Sequence, residues 1–312
     1  MYILLEKGDM LTAMEKIFQL LAFSGEAPEL LESLKKYGVL SPILVSKKNS
    51  NLIVDGEKRL FFARQLNISN LNYIYLDYTD LDLLELKLTN VSHRLGLMET
   101  VTIVSLLLKD LKLSRKEICS RFLPLLGFTS QEAILRQLLL VGELPLALQH
   151  FCYAKRFSLK QCFHLKRFSD DVLNAFSNFL DQFSFTASTL SECIELCNDY
   201  VRKESVSVDV LFEKIKIKAL LNSYDSIQFR TDLLRNRLKE TSYPMLFHRQ
   251  KQIENELSKL PSTVKIKWDE ALEDKYLSIS FTIRKSNDYQ HQLNHLTKPD
   301  NQAIIEQTLK LL

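Results

Sequence analysis

Between Pro28 and Leu76 the chain spells one short order of elements: helix, strand, strand, helix, strand. That order constrains the fold more than any other feature. Pro28 to Tyr37 carries helical spacing and stops at Gly38, in the place where a helix ends on a left-handed residue. Pro42-Ile43-Leu44-Val45-Ser46 and Asn51-Leu52-Ile53-Val54-Asp55 read as two strands around the polar turn Lys47-Lys48-Asn49-Ser50. Glu57 to Leu66 reads as a helix and Leu71 to Leu76 as a third strand. A small mixed sheet with helices against it is the expected outcome.

The rest of the chain is expected to be almost wholly helical, because only seven glycines and seven prolines interrupt Leu, Lys and Glu at three- and four-residue spacing. No convincing strand occurs from Leu81 to roughly Lys259. Three stretches place a hydroxyl three residues before Glu or Gln, as a capping box requires: Ser114 to Glu117, Thr129 to Glu132 and Ser158 to Gln161. The tail alternates at period two over Val264 to Trp268 and Tyr276 to Arg284, with the acidic stretch Asp269 to Asp274 as a turn and a final helix from Gln302 to Leu312. The fold class is therefore α+β: a mixed-sheet N-terminal domain, an all-α central domain, and a β-hairpin with helix at the C-terminal end.

Function classes are narrowed by what is missing. Net charge is +3, from 41 basic and 38 acidic residues, so any nucleic-acid surface must be local. Five cysteines, all between Cys119 and Cys197, do not make a secreted disulfide framework, and a reducing cytoplasm is expected. No stretch of about 20 residues is free of charge. Even Ala133 to Leu148 is cut by Arg136 and Glu143, so no membrane span is expected, and the first nine residues have no signal-peptide pattern. Cys193 with Cys197, and His291 with His295, each lie one helical turn apart, yet neither forms a zinc pattern, and no metal ligand set is assigned.

The run Leu34-Lys35-Lys36-Tyr37-Gly38-Val39-Leu40-Ser41-Pro42-Ile43-Leu44-Val45, followed by Ile53-Val54-Asp55-Gly56-Glu57-Lys58-Arg59-Leu60-Phe61-Phe62-Ala63, resembles the N-terminal domain of the ParB/sulfiredoxin-like superfamily. ParB-type domains carry a helix ending in glycine, a Pro-containing strand, a second strand, and Gly-Glu-Arg-Arg opening a helix. The resemblance implies a nucleotide pocket for CTP, built here from Gly56, Glu57, Lys58 and Arg59 and completed by Asn90, His93 and Arg94, where the family has Glu-Asn-x-x-Arg. A helix N-terminus behind a glycine turn is suited to phosphate, and Lys58 and Arg59 add charge-assisted contacts. Thr89 stands where the family has its Mg²⁺-binding Glu, so the resemblance implies binding ahead of turnover, with at most weak CTP hydrolysis. Sulfiredoxin chemistry needs a thiol beside the turn, and none is there.

From Asn90 to about Asn198 the order of helices is similar to the helix-turn-helix domain of the same proteins: Met98 to Leu111, Ser114 to Phe122, Thr129 to Val141, Glu143-Leu144-Pro145, then helices near Ser158 and Ser188. On that reading Ser130, Gln131 and Arg136 reach base edges and Arg115 and Lys116 hold phosphates. The apolar residues of 134–140 also fit a buried helix. Lys155, Arg156, Lys160, Lys166 and Arg167 make a further basic cluster, of the kind that is usually only solvated. The expected domains are 1–88, 89–212 and 213–312, the last a homodimerising module by analogy. The expected function is a nucleoid-associated, CTP-regulated clamp on duplex DNA. Two alternatives stay open: a nucleotide-dependent kinase or nuclease-like enzyme with Glu57 as acid or base, and a structural adaptor.

Overall fold

The computed structural model describes residues 12–22, 27–50, 52–91, 95–261, 264–283, 289–290, 293–294 and 296–312. The chain divides into two compact units, Met1–Asn178 and Phe179–Leu312.

The first unit opens with α1 (Ala13–Leu20), fastened by a Thr12/Glu15 capping box, and α2 (Pro28–Tyr37). Helix α2 ends on Gly38 at φ +70°, a conformation in which a side chain would be strained. The sheet comprises β1 (Ile43–Ser46), β2 (Ile53–Asp55) and β3 (Tyr73–Leu76) in the order β2-β1-β3. Strand β1 runs antiparallel to β2 and parallel to β3, so the sheet is mixed. Between β2 and β3 lies α3 (Glu57–Gln65), whose Leu60 joins Ile43 and Val45 in a small core backed by Ile53 and Leu71. The expected order of elements is thus met, with each strand starting one or two residues late. Asn51, placed at the start of the second strand, lies outside the described residues.

After β3 come α4 (Asp80–Val91), which packs on β2, and α5 (Leu97–Lys109). A bent helical segment follows: α6 (Arg115–Glu117), a π-helical turn (Ile118–Phe122) and α7 (Leu123–Leu125). In the π turn the Leu123 N–H reaches back to the Ile118 carbonyl. The wide turn sits just before Pro124, which brings no N–H of its own to continue the regular ladder. The unit closes with α8 (Glu132–Val141), α9 (Leu146–Ala154), α10 (Leu159–Leu165) and α11 (Asp170–Ser177).

Two of the three expected capping boxes are present, at Ser114 and Ser158. The third is corrected. Helix α8 begins at Glu132 with Gln131 as its cap residue and no side-chain cap bond, because the Gln131 N–H is turned back onto the Thr129 carbonyl at 2.8 Å. That curl moves the helix start past the hydroxyls.

In the second unit, α12 (Ala187–Glu204), α13 (Val208–Lys214), α14 (Ile217–Leu221), α15 (Ile227–Ser242) and α16 (Pro244–Leu257) form a helical stack. Helix α12 packs on α15, where Glu192 takes Arg235 at 2.7 Å and Lys239 at 2.9 Å. Strands β4 (Val264–Trp268) and β5 (Leu277–Phe281) form the expected antiparallel hairpin. Its turn is organised by the Asp269 carboxylate, which accepts from the backbone N–H groups of Ala271, Glu273 and Asp274; those bonds hold its pKa below the usual carboxylate value. Arg284, expected within the second strand, lies outside the described residues. The last helix, α17 (Pro299–Leu311), begins earlier than expected because Pro299 serves as its first residue. The architecture is α+β, mostly helical, with a small mixed sheet and a separate two-stranded sheet. Among the described residues no helix is long and apolar enough to cross a membrane.

Candidate nucleic-acid interface and phosphate turn

The turn from β2 into α3 is built on Gly56, a left-handed residue with φ +94°. A Cβ placed there would come within 3.1 Å of the Ile43 Cα and 3.2 Å of its Cγ1, so the bend is seated directly on β1. Its outer side is the N-terminus of a nine-residue helix, where Lys58 lies half-buried.

The structure places Arg59 less openly than phosphate binding alone would suggest. Its guanidinium donates to the Pro42 carbonyl at 2.8 Å and to the Asp55 carboxylate at 2.7 Å, and the side chain is 18% exposed. Arg59 thus ties the entrance of β1 to the end of β2. Two of its five N–H donors are committed to those bonds.

A residue that the sequence reading passed over lies directly behind the turn. Lys87 of α4 is only 2% exposed. Its ammonium donates to the Ile53 carbonyl at 2.9 Å, forms an ion pair with Glu57, and lies 5.7 Å from the centre of the Phe18 ring. Its position was readable: Leu83, Leu84, Leu88 and Val91 form the buried face of α4, and residue 87 falls within that stripe. Glu57, expected as acid or base, is therefore the counter-ion of a buried lysine. Burying an ammonium without such partners is prohibitive, so this pair locks α4, β2 and α3 together.

The rest of the expected nucleotide pocket is only partly in view. Asn90 and Thr89 are exposed near the end of α4, and the Thr89 hydroxyl donates to the Glu85 carbonyl at 2.9 Å. His93 and Arg94 lie outside the described residues, as do His291 and His295. Among the described residues no group of three or more His, Cys, Asp or Glu is placed to hold a metal ion.

The helical part presents a polar surface around the start of α8. One face of that helix is buried through Leu135, Leu138 and Val141, whereas Ser130, Gln131, Glu132, Ala133 and Arg136 are exposed. The preceding bent helix brings Arg115 and Lys116 to the surface, and Arg115 lies 3.5 Å from Glu132, an acid of this same surface. The two segments are joined by residues 126–131, and α6 and the π turn both pack on α8. Arg121, in the π turn, anchors the first segment to α4 by donating to Glu85 at 2.6 Å and Asp82 at 3.2 Å. In the basic cluster beyond, Lys155, Arg156, Lys160 and Arg167 are exposed, while Lys166 is drawn to Asp170 at 2.9 Å.

No family model matches the chain, and no curated protein matches it. Among solved structures, it is similar to the C-terminally truncated chromosome-partitioning protein ParB from Caulobacter crescentus, complexed to the centromeric parS site. The likeness has 16% identity and a TM-score of 0.35, and covers 55% of this chain and 90% of that one.

Proposed function

We propose that this protein binds duplex DNA by laying the N-terminal end of α8 in the major groove, and that a nucleoside triphosphate at the Gly56 turn regulates the binding. The observation that carries the first part is the two-sidedness of α8. Leu135, Leu138 and Val141 fix it to the helical core, while Ser130, Gln131 and Arg136 face outward beside Arg115 and Lys116. A helix held from behind with a short polar leading end suits major-groove reading, with the flanking cations on phosphates. On this reading the protein is a DNA-associated homodimer whose two copies of α8 read a two-fold site.

A salt series with a labelled duplex tests the reading. Arg115 and Lys116 on phosphates in each of two protomers give four neutralised phosphates and a log–log slope of about −3.6, at roughly −0.9 for each. Arg136→Ala is expected to weaken binding about tenfold, the scale of one good base contact. Affinity that is flat from low to high salt would remove DNA from the proposal.

A left-handed glycine opening a nine-residue helix, with Lys58 in its first turn, favours the second part. The phosphates of CTP would rest on this turn. The residues do not suit a metal as well as a phosphate: Thr89 offers no carboxylate, and its hydroxyl is directed to its own helix. We therefore assign the site to binding rather than hydrolysis, and Glu57 to holding Lys87 rather than to proton transfer. Calorimetric titration with each of the four nucleoside triphosphates, with and without Mg²⁺, should give heat with CTP that survives chelation. Lys58→Ala should cut that affinity severalfold, with the fold checked by circular dichroism. Titrations silent for all four would end this part while leaving the DNA reading intact.

A further inference from the structure

We propose that the outer edge of β3 is a self-association surface, on which a second copy of this chain adds its own β3 antiparallel across a two-fold axis. Strand β3 is at the edge of its sheet. Its inner side is used by β1, whose Ile43 and Lys47 N–H groups donate to the Asn72 and Leu76 carbonyls at 2.8 and 2.9 Å. Even-numbered residues of β3 thus turn their backbone inward, and Tyr73 and Tyr75 turn theirs out.

The strand is open on both faces as well. Tyr73, Ile74 and Tyr75 are 41%, 47% and 61% exposed, against 0% for Ile43 and 4% for Val45 on the neighbouring strand. Edges are normally blunted by lysine, proline, an inward charge or a bulge, and residues Asn72 to Leu76 contain no charge and no proline. The rings of Tyr73 and Tyr75 lie stacked, 6.4 Å apart, as a flat platform on one face.

The occupant follows from the register. Tyr73-Ile74-Tyr75 reads the same in both directions. With the axis at Ile74, each Tyr73 faces Tyr75 of the second copy in a hydrogen-bonded pair, which completes four main-chain bonds. Ile74 meets Ile74 at the non-hydrogen-bonded position between them. Asp77 then falls opposite Leu71, so no like charges meet, and aromatic residues face aromatic residues. Together with Tyr78, 53% exposed, these side chains offer on the order of 400 Å² per copy. That doubles to about 800 Å² in total, below the standard interface, and points to reversible association rather than an obligate dimer.

Sedimentation velocity of the full chain tests this. A reversible step should appear as concentration rises into the range of tens to hundreds of micromolar, typical of small interfaces. Tyr75→Lys should raise its dissociation constant at least tenfold and leave the melting temperature unchanged. The register has its own readout. All five native cysteines are buried, so Ile74→Cys introduces a lone accessible thiol at the axis. Copper–phenanthroline with dissolved oxygen should convert that variant to a covalent dimer, while Tyr78→Cys stays uncrosslinked. The step counts equally whether the starting species is a monomer or a dimer held elsewhere, and it does not depend on DNA or nucleotide. An association that Tyr75→Lys leaves intact, or none at all together with an uncrosslinked Ile74→Cys, overturns the proposal.

Discussion

Lys87→Met is expected to destabilise the N-terminal unit by roughly 3–5 kcal/mol, with Glu57→Gln costing a similar amount, as when one partner is taken from a buried ion pair. Lys87 is fully enclosed, and its ammonium engages the Glu57 carboxylate and the Ile53 carbonyl. Glu57→Gln takes the counter-charge from a buried ammonium. Lys87→Met takes an ion pair from a half-buried carboxylate and a hydrogen bond from the Ile53 carbonyl. The double variant Lys87→Met with Glu57→Gln should recover a substantial part of the loss, since neither charge then remains. Urea unfolding followed by far-ultraviolet circular dichroism gives the four corners of the cycle. The single tryptophan, Trp268, lies in the other unit, and its fluorescence supplies an internal control. A Glu57→Gln protein as stable as the parent would show that the pair does not hold the fold, and would return Glu57 to consideration as a proton-transfer group.

Gly56→Ala is expected to cost about 2–4 kcal/mol. Roughly 1–2 kcal/mol comes from forcing a side chain into the left-handed region, and the remainder from pressing a methyl onto Ile43. Gly38→Ala is a second comparison: φ +70° with ψ −163° is a region that only glycine enters readily, and no described atom lies within 4 Å of its Cβ position. Its loss is therefore backbone strain alone. Thermal melts check both variants, and a Gly56→Ala protein as stable as the parent would mean that the bend and its close approach to Ile43 relax freely. Since Gly56→Ala weakens the scaffold itself, Lys58→Ala is the cleaner probe of phosphate binding.

Local chemistry made much of this fold readable. Helix α2 ends where Gly38 says it should, β1 and β2 turn back at the polar run 47–50, and α3 starts at the Gly56 turn because period and punctuation change together at each point. What was not readable depended on contacts distant in sequence. Thr129 to Glu132 has the composition of a capping box, yet a backbone bond from Gln131 to Thr129 pre-empts it. Lys87 falls on the apolar stripe of α4, but the partners at its tip, Ile53 and Glu57, lie thirty or more positions earlier. Arg59 matched a phosphate-binding pattern by type, but type alone does not reveal that Pro42 and Asp55 already engage it. The apolar residues of 134–140 fitted a buried helix as well, and only packing shows that α8 buries one face, through Leu135, Leu138 and Val141, and leaves Arg136 exposed.

The burial of every cysteine gives each unit its own clock. Cys119, Cys152 and Cys162 belong to the first unit, Cys193 and Cys197 to the second. In the second, burial pushes both thiols up to about 12, so little thiolate exists at neutral pH. For Cys152, Cys162, Cys193 and Cys197, at most 1% exposed, an alkylating reagent can react only when a unit opens. Mass spectrometry of iodoacetamide adducts over time would therefore count openings separately at the two ends of the chain, and reveal whether they breathe together or apart.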